Sequence, residues 1–171
     1  MKLFLKSIIC LALLVFWLPL TAALTDTPVT KNLLKSVFVS LQGEVMSTGN
    51  PINSEGKITQ VKSPVLHFIR SKSKDSKGTV LLFPGGEYKV LNIREQGEKV
   101  AQFLNTEGYD VAILEYRIGS TDFRDPALTD VLQAIRKVKT DAKSFGLHNP
   151  QFILLGVGSG GHLAARAVQR L

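Results

Sequence analysis

The chain has 171 residues, a length typical of a single domain. A hydrophobic content of 44% excludes a largely disordered chain, and the single cysteine excludes a small fold held by internal disulfides. The positive charge, +7 in all, is scattered apart from a cluster at Arg70, Lys72, Lys74 and Lys77. No aromatic residues interleave with the lysines of that cluster, so it does not favour a nucleic-acid partner.

Residues 1–23 have the pattern of a secretory signal peptide. Lys2 and Lys6 form a positive start, the apolar run 7–20 follows, and small residues lead up to Ala23. The run is short for a membrane span of about 20 apolar residues, which argues against a stable membrane anchor. We therefore predict cleavage near Ala23 and a secreted or periplasmic product. Cleavage removes two lysines, which lowers the net charge from +7 to +5, and it removes the only cysteine, which excludes thiol chemistry and cysteine metal sites.

The rest of the chain divides into an N-terminal extension with weak strand signals, 24–60, and a more regular domain, 61–171. Predicted strands are 37–39, 65–69, 79–83, 111–116 and 152–155, and predicted helices are 93–105, 126–145 and a segment starting in the glycines at 156–161. In the first helix, the spacing places Val100, Phe103 and Leu104 on one face. Buried strands that alternate with helices predict an α/β fold with a parallel sheet and flanking helices.

Two predicted strands end in glycine-rich segments, at the edge of the sheet where ligands bind in α/β folds. The segment Gly156-x-Gly158-x-x-Gly161 matches the dinucleotide-binding pattern between a strand and a helix. That pattern alone is weak, because the acidic residue that would support it falls about 20 positions later, beyond this sequence. A phosphate-binding loop is excluded, since His162 and Leu163 replace the required Lys and Ser/Thr.

The third interpretation of this segment is the nucleophile elbow of a hydrolase, a sharp strand-to-helix turn with small residues two before and two after the nucleophile. Three motifs occur in order: Pro84-Gly85-Gly86-Glu87-Tyr88, then Tyr116-Arg117, then the run Gly156–Ala164, which reads GVGSGGHLA. With these motifs, the chain from about Val65 to Leu171 resembles the α/β-hydrolase esterases grouped with acetyl xylan esterases and related carbohydrate esterases.

The resemblance implies hydrolysis of a carboxylic ester, such as an acetyl or related ester on a polysaccharide or another small acyl ester. Members of this family attack the ester carbonyl with a serine, relay the proton through a histidine and hold the oxyanion with backbone amides. Transferred to this sequence, the oxyanion hole consists of the amides of Gly86, Glu87 and Ser159. No cofactor is implied, and the sequence assigns no metal site.

The elbow of this chain departs from the family pattern at the nucleophile. In the family register, Gly158 stands where serine is expected, and Ser159 stands where the family has alanine. A shift by one residue makes Ser159 the nucleophile but places Val157 two residues before it, where a small residue is required. We favour the register without a nucleophile and keep Ser159 as the alternative.

The acid and base of the family's triad follow the elbow, but no Asp or Glu follows Ser159 here. His162, on the helix that leaves the elbow, is interpreted as a packing or capping residue. We therefore expect a partial hydrolase domain, truncated after the elbow helix and inactive as an enzyme. A non-catalytic remnant that binds carbohydrate or a partner protein is the alternative, and the dinucleotide-binding module is the third.

Further expectations concern the sheet and its polar residues. A partial sheet exposes an edge, which makes self-association possible. His67 is interpreted as a hydrogen-bonded residue of an apolar strand, and Glu115 and Arg117 as a local pair at a strand end.

Overall fold

The computed structural model describes residues 36–73, 75–119, 124–141, 143–147 and 151–171. The chain divides into the units Met1–Leu33 and Leu34–Leu171, and the described residues belong to the second. The predicted signal peptide at 1–23 lies outside them. Within the described ranges, no helix is both long and apolar enough to cross a membrane.

Six strands form one sheet in the order β2-β1-β3-β5-β4-β6. The strands are β1 (Ser36–Ser40), β2 (Val45–Met46), β3 (Val65–Ile69), β4 (Thr79–Phe83), β5 (Asp110–Glu115) and β6 (Phe152–Gly156). The predicted α/β class is confirmed. The sheet is mixed rather than wholly parallel, because β4 runs parallel to β5 and β6 whereas β3 runs antiparallel to β1 and β5. An apolar run buried on both faces looks the same in either direction, so the sequence could not reveal this orientation.

The helices match the predicted positions but not in every detail. A π-helical turn, Ile93–Glu98, leads into α1 (Lys99–Thr106), and two further helices follow, α2 (Arg124–Asp141) and α3 (Ser159–Val168). Of the three residues predicted on one face of the first helix, Val100 and Leu104 pack against the core, whereas Phe103 is 62% exposed. The buried residues of α1 are Ala101 and Asn105. Phe103 comes two residues after Ala101, about 200° further round the helix, so it points away from the buried side.

The core of the sheet consists of β3, β4 and β5, in which every residue is buried. Helix α1 packs on β5, and α3 packs on β4 and β6. The stretch with weak strand signals contributes β1 and β2, and Ile58 within it bridges Leu91. The carboxyl ends of the three parallel strands lie at one edge, where both glycine-rich segments meet.

The end of β5 is fixed by two separate polar contacts. Arg117 Nη2 donates to Asp130 Oδ1 at 2.7 Å, and the Arg117 backbone N–H donates to Asp130 Oδ2 at 2.9 Å, which joins β5 to α2. Glu115 instead accepts hydrogen bonds from Asn50. The predicted local pair of Glu115 with Arg117 is therefore wrong, because Arg117 lies past the strand end and turns toward α2.

Candidate functional site

A sharp turn between β6 and α3 has Gly158 at its apex. Its backbone angles are φ 55° and ψ −119°, a conformation that residues with a side chain adopt only at a cost in free energy. A Cβ added to Gly158 would meet no atom within 4 Å. The apex therefore has a backbone conformation that suits glycine and is open above, as in a turn that presents one side chain at the end of a sheet.

Close backbone contacts show where the strand and the helix cross. A Cβ on Gly156 would overlap the carbonyl of Gly160, and a Cβ on Gly160 would overlap the carbonyl of Phe83. These two glycines lie two residues before and two residues after Gly158. The geometry of the turn thus favours the register in which Gly158, and not Ser159, occupies the nucleophile position.

The hydroxyl of Ser159 is hydrogen-bonded to neighbouring residues. Ser159 is the first residue of α3, and its Oγ accepts the backbone N–H of Gly86 at 3.1 Å. The Tyr116 hydroxyl donates to the Pro84 carbonyl at 2.6 Å and also interacts with the Ser159 side chain, while burial raises the pKa of Tyr116 to about 12. Among the described residues, no imidazole hydrogen-bonds to Ser159 Oγ, the contact through which a serine nucleophile is activated.

The loop after β4 carries two of the three predicted oxyanion residues. Glu87 and Tyr88 have positive φ angles of 57° and 61°, which is unusual for residues with side chains. The Gly86 amide already donates to Ser159 Oγ. The amides of Glu87 and Ser159 have no hydrogen-bond partner in the part of the chain that the structure describes. Of the three predicted donors, these two are the ones available to a ligand.

The elbow cavity, which we define by Gly86, Glu87, Gly158 and Ser159, has a volume of about 470 Å³. The residues that complete its lining are polar for the most part: Lys57, Lys89, Val90, Asn92 and Gln96. The carboxylate of Glu87 points outward, is 80% exposed and pairs with the Lys89 ammonium at 3.1 Å. It therefore leaves the space above the turn open.

Sequence reasoning missed the polar side chains of this lining. Gln96 Oε1 accepts the Gly85 N–H at 2.9 Å and so holds the loop after β4, but a glutamine in a helical stretch carries no signal of that role. Lys57 comes from the stretch with weak strand signals, whose position beside the elbow depends on the fold.

His162 does not face the elbow hydroxyl. Its Nδ1 lies 2.8 Å from the Tyr88 hydroxyl, and its ring stands edge-on to the Tyr88 ring. This contact agrees with a packing role, since the imidazole supports the loop after β4 from the side of α3. In the described ranges, no three His, Cys, Asp or Glu side chains are grouped as metal ligands would be.

The sequence of the chain matches a known protein family. The BD-FAE family model matches residues 66–169, which is more than half of the sequence. The chain belongs to the BD-FAE family. The match begins in β3 and ends after α3, so it includes the loop after β4 and the whole elbow.

Relatives of this BD-FAE chain are esterases and other hydrolases. The acetylxylan esterase of Xylanibacter ruminicola is 30% identical over 82 residues, which are 48% of this chain and 17% of that protein. An acetyl ester-xyloside bifunctional hydrolase from Caldicellulosiruptor lactoaceticus superposes with a TM-score of 0.56 at 25% identity, covering 75% of this chain and 44% of that one. A sugar hydrolase from Lactococcus lactis gives a TM-score of 0.55 at 23% identity, covering 65% and 45%. This chain therefore spans less than half the length of each.

Proposed function

We propose that this chain binds a small acyl ester, such as an acetyl group on a polysaccharide, in the elbow cavity without hydrolysing it through an acyl-enzyme. The observation that carries the proposal is Gly158 at the apex of the elbow, where an esterase of this type requires a serine hydroxyl. The ester substrate class is taken from the relatives, two of which are named for acetyl esters.

The remaining groups of the site support binding. Two backbone amides, those of Glu87 and Ser159, are available to donate hydrogen bonds to an ester carbonyl oxygen. Asn92 and Gln96 in the lining offer further polar contacts to a hydroxylated ligand. Without a hydroxyl at residue 158, no covalent bond forms to the carbonyl carbon, so binding ends without acyl transfer.

The test is ester turnover by the full chain. We expect no hydrolysis of p-nitrophenyl acetate above background and no labelling by a fluorophosphonate probe. In Ser159→Ala, both results should stay unchanged, because the Ser159 hydroxyl accepts a structural hydrogen bond from Gly86. Strong labelling that disappears in Ser159→Ala would overturn the proposal and make Ser159 the nucleophile.

We further propose that the chain is exported, on the basis of the signal-peptide pattern at 1–23. Mass spectrometry of secreted or periplasmic material should give an N-terminus near Leu24. Recovery of exported protein that still begins at Met1 would contradict this.

A further inference from the structure

A second cavity of about 370 Å³ shares no lining residue with the elbow cavity, although both are lined in part by residues of the π-helical turn. We call it the β3–β5 cavity. Its floor includes the buried residues His67 of β3, Glu115 of β5 and Ile93 of the π turn. Its mouth is formed by the exposed loop residues Pro51 and Ile52. The walls are largely apolar, so the ionisable groups inside them require an explanation.

Two carboxylates line this cavity without a cation. Asn50 donates both its backbone N–H, at 2.7 Å, and its Nδ2, at 2.6 Å, to Glu115 Oε2. Among the described residues, Glu115 Oε1 accepts no hydrogen bond, and the Glu98 carboxylate forms neither a hydrogen bond nor an ion pair. No Lys or Arg belongs to the lining.

Both carboxylates are held in an environment that disfavours their charge. Burial raises the pKa of Glu115 and of Glu98, and the charge of Glu98 raises the pKa of Glu115 further. Arg94 lowers the pKa of Glu98 only in part. A cation in the cavity would offset the free-energy cost of desolvating the two carboxylates and would reduce the repulsion between them.

A third polar side chain in the cavity is unpartnered. His67 is 7% exposed, and its Nε2 has no hydrogen-bond partner in the described part of the chain. Its ring stacks on Phe38 with the centroids 4.1 Å apart. Burial lowers the pKa of His67 to about 4, so the imidazole is neutral near pH 7 and adds no positive charge. The sequence-based interpretation of His67 as a hydrogen-bonded strand residue is wrong at Nε2, and buried polar atoms of this kind are uncommon.

We propose that the β3–β5 cavity binds a small primary ammonium that carries a short apolar group. The ammonium group lies between the carboxylates of Glu98 and Glu115, and the apolar group packs against Phe38 and Ile93. A divalent metal ion fits less well, since the His and Glu side chains are not grouped at metal-ligand spacing. An anion is excluded by the two carboxylates. This site is independent of the proposed ester site.

The experiment titrates benzylammonium, and separately its neutral analogue benzyl alcohol, into the ¹⁵N-labelled full chain. We expect saturable shifts of the Gly49 and Asn50 amides with benzylammonium, and an affinity at least about tenfold weaker for benzyl alcohol. Glu98→Gln should weaken benzylammonium binding about tenfold. The matched control is Glu95→Gln, because Glu95 lies one turn away, pairs with Lys99 at 2.8 Å and does not line the cavity.

Three results would overturn the proposal: no saturable shifts at millimolar ligand, equal affinity for benzyl alcohol, or benzylammonium binding that survives Glu98→Gln. A Ca²⁺ or Zn²⁺ titration that shifts the same amides while benzylammonium does not would assign the cavity to a metal instead. Glu98 is half-buried, and its side chain makes no hydrogen bond to described residues, so Glu98→Gln should keep the fold. An amide spectrum of the free variant checks this.

Discussion

The backbone of Gly158 is the part of the elbow that a substitution can test most directly. A Cβ there meets open space, so Gly158→Ser causes no overlap. The substitution is destabilising only because a residue with a side chain must adopt the positive φ of 55°. We expect the free energy of unfolding to fall by roughly 1–2 kcal/mol. Gly160→Ala is the matched comparison, because its Cβ would overlap the Phe83 carbonyl and force the backbones apart. Urea denaturation should show a clearly larger loss for Gly160→Ala. Equal losses would mean that the crossing point is placed wrongly.

The same Gly158→Ser variant separates the hydroxyl from the rest of the catalytic machinery. It restores a nucleophile hydroxyl at the apex, but among the described residues His162 is bonded to Tyr88 and no other imidazole lies near the elbow to accept the proton. We therefore expect slow fluorophosphonate labelling, detected as a mass increase, and little turnover of p-nitrophenyl acetate. Rapid turnover would show that this chain supplies a base after all.

His67 makes stability depend on pH. Its pKa is about 4 in the folded chain and 6.5 in the unfolded chain. Between these two pH values the imidazole is protonated in the unfolded state and neutral in the folded state. The free energy of unfolding should fall by about 3 kcal/mol between about pH 6.5 and pH 4 from this group. Glu98 and Glu115, which face the same cavity, act in the opposite direction because burial raises their pKa values. Subtracting the curve of His67→Phe, which keeps both carboxylates, isolates the histidine. A difference that does not change with pH would contradict this assignment.

At the scale of elements, one ion pair joins β5 to α2. The Asp130 side chain is 1% exposed and accepts the backbone N–H, Nε and Nη2 of Arg117. Asp130→Asn removes the charge and should lower the free energy of unfolding by about 1–3 kcal/mol. Asp141→Asn, on the same helix, weakens a partly exposed pair in which the Asp141 side chain is 40% exposed, and it should change the free energy of unfolding far less. Thermal denaturation compares the two variants. An equal effect would mean that the Asp130 pair does not fix α2.

Some features of the strands and helices follow from the local sequence, and others depend on how the elements pack together. The bounds of β3 and β4 follow from continuous apolar runs and match the structure. The direction of β3 depends on which strands it pairs with, which such a run does not encode. Phe103 of α1 is exposed because Ala101 and Asn105 form the buried side of this short helix, which depends on how the helix packs in the fold.

In the candidate site, too, some residues are predicted from local motifs and others are placed there only by the tertiary fold. Its glycine motifs are local, so Gly158 and the loop at 84–88 were found from the sequence. Gln96 and Lys57 reach the elbow cavity only through the tertiary fold, and nothing in their own sequence surroundings marks them. The β3–β5 cavity was missed for this reason too, since Asn50 and Glu115 are 65 residues apart in the chain.

At the scale of the whole molecule, we expect the edge of the sheet at β6 to govern self-association. Within the described strands, β6 pairs only with β4, and Ile153 on β6 is 50% exposed. Unpaired strand edges with apolar side chains favour pairing between chains. We expect the 171-residue chain to self-associate in sedimentation velocity experiments, with a sedimentation coefficient that rises with concentration.

A charge on either edge strand tests whether β6 mediates this association. Ile153→Lys places a charge beside the open edge of β6 and should shift the chain toward monomer, because charged edge residues oppose edge-to-edge pairing. Val45→Lys is the matched control, since Val45 is 76% exposed on the short strand β2 at the opposite edge, where two residues offer little to pair with. If Val45→Lys dissociates the chain as well as Ile153→Lys does, association depends on net charge rather than on β6. A wild-type chain that stays monomeric at all concentrations would contradict the prediction outright.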